Sequence, residues 1–190
     1  MSPRAGLTKD RLLEAAERIA DERGFEAVTI HGLAAESGVK APSLYNHVSG
    51  LDEIRDALRL RGLRLLGERL SAAIEADRAA APLIALGDAT REFAREHPGL
   101  YAAAQPTVST VETAADLTEA GDVILRLFAR VLGSMGIEGD DALHATRALR
   151  SAVHGFIALE TAGAFGMAIN IDESFRRLLG ALAVGLTPPR

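Results

Sequence analysis

Between Lys40 and His47 the sequence gathers side chains that can meet nucleic acid: Lys40, Ala41, Pro42, Ser43, Tyr45, Asn46 and His47 lie in one short stretch. Lysine neutralises a phosphate, and the hydroxyls of Thr29 and Tyr45 and the imidazole of His47 can donate to phosphate oxygens. A helix N-terminus would add its own partial positive charge. Ser43 and Asn46 offer hydrogen bonds to base edges, while Ala41 and Pro42 offer apolar contact to thymine methyls. The chemistry expected is backbone-dominated recognition of a DNA duplex with modest direct readout. A glycine between two short amphipathic helices is also common in ordinary bundles. The Lys-Tyr-Asn-His face favours nucleic acid, because a core-packing helix rarely buries such side chains and a merely solvated one carries Glu-Lys pairs.

No other chemistry is signalled. His31, His47, His97, His144 and His154 show no H-x-x-x-H or H-E-x-x-H spacing, and cysteine is absent, so neither a metal site nor thiolate or disulfide chemistry is expected. Nucleophile–base motifs and phosphate-cradling glycine loops are missing, so no cofactor is expected and an enzyme is disfavoured. The arginines at 55, 59, 61 and 64 are interrupted by Asp56 and read as a solvated or inter-domain helix face.

The elements that must position the Lys40–His47 stretch are helical. Leu12, Ala16, Ile19 and Ala20 follow a helical period after a Thr8 N-cap, and Gly24 stops the run. Phe25 and Val28 anchor the connection, and Thr29 caps a short helix whose apolar face is Ile30, Leu33 and Ala34. Gly38 turns the chain into a third segment that runs from Val39 through Leu44 to Val48, with Pro42 in its first turn. Ala34 is small where two helices must cross closely, which completes the spacing of a helix-turn-helix. After Ser49-Gly50, Asp52 and Glu53 begin a long helix marked by Ile54, Leu58, Leu65, Leu66, Leu70 and Ile74. Beyond Pro82 a helix is marked by Leu83, Leu86, Thr90 and Phe93 and closed by His97-Pro98-Gly99. A short one covers Leu100–Ala104, and another opens at Thr113 or Asp116 and runs to Leu132. Asp140 or Asp141 opens a helix through Leu143, Thr146, Leu149, Val153 and Phe156, and Asp172 opens the last, through Phe175, Leu178, Leu179 and Leu182. No stretch alternates with period two for long enough to demand a sheet, so the fold class is all-α.

Composition agrees. A chain of 190 residues with 48% hydrophobic side chains can bury a core without staples. No apolar run approaches the roughly 18 residues of a membrane span and the N-terminus lacks a signal-peptide core, so a cytoplasmic protein without a membrane partner is expected. The net charge of −5 argues against indiscriminate nucleic-acid binding. The first 65 residues hold 10 basic and 10 acidic groups, leaving the whole acidic excess to the rest. Aromatics make up 4% of the chain, with no tryptophan, which does not suit single-strand stacking.

The run Thr29-Ile30-His31-Gly32-Leu33-Ala34-Ala35-Glu36-Ser37-Gly38-Val39, with Ser43-Leu44-Tyr45-Asn46-His47-Val48 after it, resembles the N-terminal domain of the TetR family of transcriptional regulators from about Thr8 to Leu58. The resemblance implies a three-helix DNA-binding domain over residues 1–50, a connecting helix over 51–75, and a ligand-binding and dimerisation bundle over 76–190. It implies a homodimer on a pseudo-palindromic operator, with Thr29, Tyr45 and His47 on phosphate and Lys40, Ala41, Pro42 and Ser43 opening the recognition helix. Many members have a lysine at the start of the fourth helix where this chain has Leu51, which removes one phosphate contact and makes the salt dependence shallower. Val153-His154-Gly155-Phe156 resembles a subgroup with a Trp-His-Gly signature, with Val153 in place of the tryptophan.

These readings combine into a ligand-responsive regulator, a repressor released by a small apolar effector and dimerising through its last two long helices. Phe93, Tyr101, Gln105, Phe128, His154 and Phe165 are the candidate lining of the effector pocket, with Met135 and Thr107 beside them. Ordinary core is the better reading of any single one of Phe93, Tyr101, Phe128, Met135 and Phe165, a flexible connector explains Gln105 and Thr107 equally well, and the plain reading of His154 is a buried hydrogen bond to a backbone carbonyl. The alternative from another class is a small-molecule carrier whose helix-turn-helix no longer meets DNA, kept open by the neutral first third and by Leu51.

Overall fold

The computed structural model describes residues 7–76, 81–105 and 114–186. In chain order the helices are α1 Lys9–Arg23, α2 Ile30–Glu36, α3 Ala41–Leu44, α4 Leu51–Ala76, α5 Pro82–Glu96, α6 Pro98–Ala103, α7 Ala114–Ser134, α8 Gly139–Thr161 and α9 Ile171–Leu186, with a 3-10 turn at Phe25–Ala27. Among the described residues there is no strand, in keeping with the all-α reading. None of these helices is long and apolar enough to cross a membrane. The chain packs as two units, each assembled from separated stretches. The first takes the described residues up to Leu65 and those of Ala94–Gly121, and the second takes Leu66–Phe93 and those from Asp122 onward.

In the first unit, α1 forms where the sequence predicts it. The Thr8 hydroxyl accepts the Arg11 N–H at 3.3 Å, and Gly24, at φ 91°, ends the helix by donating its N–H to the Ala20 carbonyl. Leu12, Ala15, Ala16, Ile19 and Ala20 make its buried stripe, joined in the core by Phe25, Val28, Leu33, Leu44, Ile54, Leu58 and Leu100. The start of α6 lies directly on α1: a Cβ on Gly99 would fall 2.3 Å from the Ala20 carbonyl carbon. Only glycine allows that approach, and the Gly99 N–H donates to the Asp21 carboxylate at 2.8 Å.

Arg55 and Arg59 are not a solvated face. Arg55 donates to the carbonyls of Glu26 and Val28 at 3.4 and 3.3 Å, and Arg59 pairs at 2.5 Å with Asp56, which is buried. Both guanidinium groups lie over the Phe25 ring, 5.5 Å from its centroid. The flat cations cover an aromatic that would otherwise face water while finding oxygen partners at the edge of the core, a balance that periodicity does not report. Arg61 pairs with Glu17 at 2.9 Å, and Arg64 is exposed as expected.

The second unit has its own core of Leu70, Leu83, Leu86, Phe93, Leu132, Leu149, Phe175 and Leu179. Leu132, Ile137 and Ala145 form a cluster flanked by Met135, Ala142 and Leu186, so Met135 is packing material. The α5 helix closes on Leu179 through Gly87, where a Cβ would fall 2.5 Å from the leucine Cδ2. Arg91 is buried among these residues. Its guanidinium grips Glu160 with two hydrogen bonds of 2.8 and 2.6 Å, reaches Asp172 at 2.9 Å, and lies over the rings of Phe156 and Phe175. This node joins α5, α8 and α9. Nothing in the local sequence marks it, because its partners come from α8 and α9.

Candidate nucleic-acid interface

Two caps and one glycine set the geometry of the α2–α3 motif. Thr29 has extended backbone, and its Oγ1 accepts the Gly32 N–H at 3.1 Å, fixing the start of α2. A hydroxyl that accepts at its oxygen keeps its hydrogen to donate, so the cap and a phosphate contact are compatible. At the other end Gly38 takes φ 66°, and Val39 donates back to Ala34 at 3.0 Å, which turns the chain into α3.

The expected third helix from Val39 to Val48 is shorter than the sequence suggests. Regular α3 covers Ala41–Leu44, and residues 45–47 continue as turns in which His47 and Val48 donate to the Leu44 carbonyl at 2.9 and 3.1 Å. One turn of helix aligns few peptide dipoles, so the helix-terminus attraction for phosphate is smaller than the sequence reading supposes. The side chains must carry the charge.

The motif sorts its residues cleanly. Leu44 and Val48 are buried, at 0% and 4% exposure. Lys40, Pro42, Tyr45, Asn46 and His47 are exposed, as is Thr29, and Ala41 and Ser43 are half-buried. Tyr45 is 58% exposed, so its hydroxyl is open to an outside acceptor. Nearby, Glu36 at the end of α2 is ion-paired to Arg18 at 3.5 Å and Arg23 at 3.7 Å, which offsets a carboxylate that would repel phosphate.

Supports that the sequence did not reveal hold this motif in place. The Arg55 clamp on the Glu26 and Val28 carbonyls fixes the residue just ahead of Thr29. On the far side, Glu53 accepts from the Ser49 N–H at 2.7 Å and the Ser49 hydroxyl at 2.8 Å, and pairs with Lys9. The Lys9 and Ser49 hydrogen bonds push the Glu53 carboxyl down from 4.5 to about 2. Asp52 and Glu53 thus open α4 as their sequence position implied, and Glu53 also ties its start to that of α1.

The candidate effector residues divide between the units. In the first, Tyr101 is buried and Gln105 donates its side-chain N–H to the Tyr101 carbonyl at 3.0 Å. In the second, Phe93 and Phe128 are core residues, half-buried Phe165 packs on Phe156 with ring centroids 4.8 Å apart, and His154 is exposed. Pro106 and Thr107 lie outside the described residues.

Comparison with known proteins follows the same layout. A profile described as "Bacterial regulatory proteins, tetR family" matches residues 12–58, and one described as "Tetracyclin repressor-like, C-terminal domain" matches residues 83–182. The chain is 36% identical over 187 residues to the uncharacterized HTH-type transcriptional regulator YobS of Bacillus subtilis strain 168, covering 98% of this chain and 96% of that one. It is 43% identical over 56 residues to the HTH-type transcriptional repressor DrrR1 of Streptomyces coeruleorubidus, covering 30% of this chain and 21% of that one. Among solved structures, a TetR variant from Acinetobacter baumannii AYE in complex with minocycline superposes with a TM-score of 0.68 at 22% identity, covering 97% of this chain and 100% of that one.

Proposed function

The chain belongs to the TetR family of bacterial transcriptional regulators, and from that premise we propose that it is a ligand-responsive repressor that binds a pseudo-palindromic operator as a homodimer. The observation that carries this reading is the outward face of the α2–α3 motif, where the buried Leu44 and Val48 anchor a stretch that turns Lys40, Tyr45, Asn46 and His47 to solvent. Thr29, Lys40, Tyr45 and His47 hold phosphates, and Ala41, Pro42, Ser43 and Asn46 meet base edges. Two copies of the motif enter successive major grooves on one side of the duplex when they stand about 34 Å apart.

Dimerisation runs through α8 and α9. Leu159 on α8 and Val184 on α9 are exposed in the single chain, as apolar side chains that a second copy covers would be. The effector is a small apolar molecule held among the helices of the second unit, near Phe128 and Phe165, whose binding changes the separation of the two motifs and releases DNA. The repressor named among the relatives and the minocycline complex among the neighbouring folds support repression and ligand response.

The test is enrichment of bound fragments from random duplexes, with the particle mass measured in solution. A two-fold symmetric consensus bound by two chains is expected. Recovery of no fragment, with no salt-dependent binding to random duplex, would overturn the reading in favour of the carrier alternative.

A further inference from the structure

Outside the α2–α3 motif, the first unit brings together two carboxylates and an imidazole from separate parts of the chain. Glu17 and Asp21 stand four residues apart on α1, and His97 directly precedes α6, with φ −133° and ψ 64°. One potential ligand atom from each lies within 4.8 Å of the other two, and all three side chains are half-buried. We propose that Glu17, Asp21 and His97 bind a divalent first-row transition metal such as Zn2+.

The donor set selects the ion class. One imidazole nitrogen and two carboxylates suit zinc and its neighbours, whereas Ca2+ and Mg2+ take oxygen ligands alone. Three protein ligands leave at least one coordination position to water or to an outside ligand. Ligand bonds of about 2.0–2.2 Å place neighbouring donors roughly 3.3 Å apart, so small side-chain rotations close the site.

Both carboxylates are already oriented by groups outside the trio. Asp21 accepts the Gly99 N–H at 2.8 Å and Glu17 accepts Arg61 at 2.9 Å, and each carboxylate has a second oxygen for a cation. Such outer partners fix ligand orientation in metal sites. The Gly99–Ala20 approach also holds the backbone beside His97 against that of α1, so the donors sit on supports that have no room to drift. Arg61 offsets part of the negative charge, which suits a site that exchanges its ion.

The experiment titrates the metal-free full chain with Zn2+ alone by calorimetry, in the absence of DNA, so its failure leaves the DNA reading standing. One Zn2+ per chain is expected, with no saturable heat from Mg2+. Asp21→Asn, which keeps an oxygen acceptor for Gly99, and His97→Gln should each weaken Zn2+ at least about tenfold. His144→Gln, an exposed histidine on α8, should leave the affinity unchanged. Absent binding, or binding that these two variants leave intact, overturns the proposal. Should either variant fail to fold, X-ray absorption of the zinc-loaded wild type decides: one imidazole among oxygen donors supports the site, and all-oxygen or multiple-imidazole ligation overturns it.

Discussion

Leu44 and Tyr45 are neighbours in the chain with opposite surroundings, and truncating each to alanine separates stability from DNA binding. Leu44 is 0% exposed and pins the recognition segment to the core of its unit, whereas Tyr45 is 58% exposed. Removing a fully buried leucine side chain costs about 2.7–5 kcal/mol through lost transfer energy and the cavity left behind. At about 2–4 °C per kcal/mol for a chain of this size, Leu44→Ala should lower the melting temperature by about 5–20 °C. Tyr45→Ala touches no core and should change stability by less than about 0.5 kcal/mol. Its hydroxyl, on our reading, donates to a charged phosphate, a bond worth about 1.5–3 kcal/mol. Its loss should therefore weaken binding about 10- to 150-fold per chain, on random and on selected duplex alike. Calorimetric melting and fluorescence anisotropy at fixed salt read the two quantities. The reasoning fails if Tyr45→Ala melts as early as Leu44→Ala, or if it binds every duplex as tightly as the wild type.

Two glycine substitutions should rank by what their new methyl meets. Gly99→Ala drives Cβ into the backbone of α1 and should cost more than about 3 kcal/mol, whereas Gly87→Ala meets the mobile tip of Leu179 and should cost about 1–3 kcal/mol, both read by urea unfolding. Arg91→Met leaves the carboxylate of Glu160 largely buried without its cation and should destabilise by about 3–5 kcal/mol, and Arg91→Met combined with Glu160→Leu should recover much of that loss. The depressed Glu53 carboxyl stabilises the fold in full above its unfolded value of 4.5, and that contribution disappears as pH falls toward about 2. Glu53→Gln should therefore lower the melting temperature at pH 7 and approach the wild type near pH 2. A constant gap between the two proteins across that range would show that the Lys9 and Ser49 contacts do not act through the charge.

The N-terminal third was the most legible part of the chain, because its signals are local. Thr8 and Thr29 cap the helices they precede, Gly24 and Gly38 take the positive φ angles that stop and turn the chain, and Leu44 and Val48 point inward. These features depend on neighbours within one or two turns, so residue type and spacing suffice to find them. The extent of α3 was harder to read, since the apolar spacing of Leu44 and Val48 is satisfied by a turn as well as by a continued helix.

Arginine was the residue type that spacing misread. Arg55 and Arg59 read from the sequence as a solvated or inter-domain helix face, and Arg91 carries no local signal, yet each is placed by partners distant in the chain: the Glu26 and Val28 carbonyls, the Phe25 ring, and Glu160 with Asp172. A guanidinium can be drawn into a core when carboxylates and rings from other elements meet it there, and that meeting is a property of packing. The approach of His97 to Glu17 and Asp21 has the same origin, since the contact of Gly99 with Ala20 brings α6 onto α1. What the sequence determined by itself was the helical order, the caps and turns, and the outward set of the recognition segment, all short-range consequences of backbone preference and periodicity. Which charges are buried, which side chains clamp the motif and which donors converge were decided by tertiary structure, because those contacts exist only after separate helices have docked.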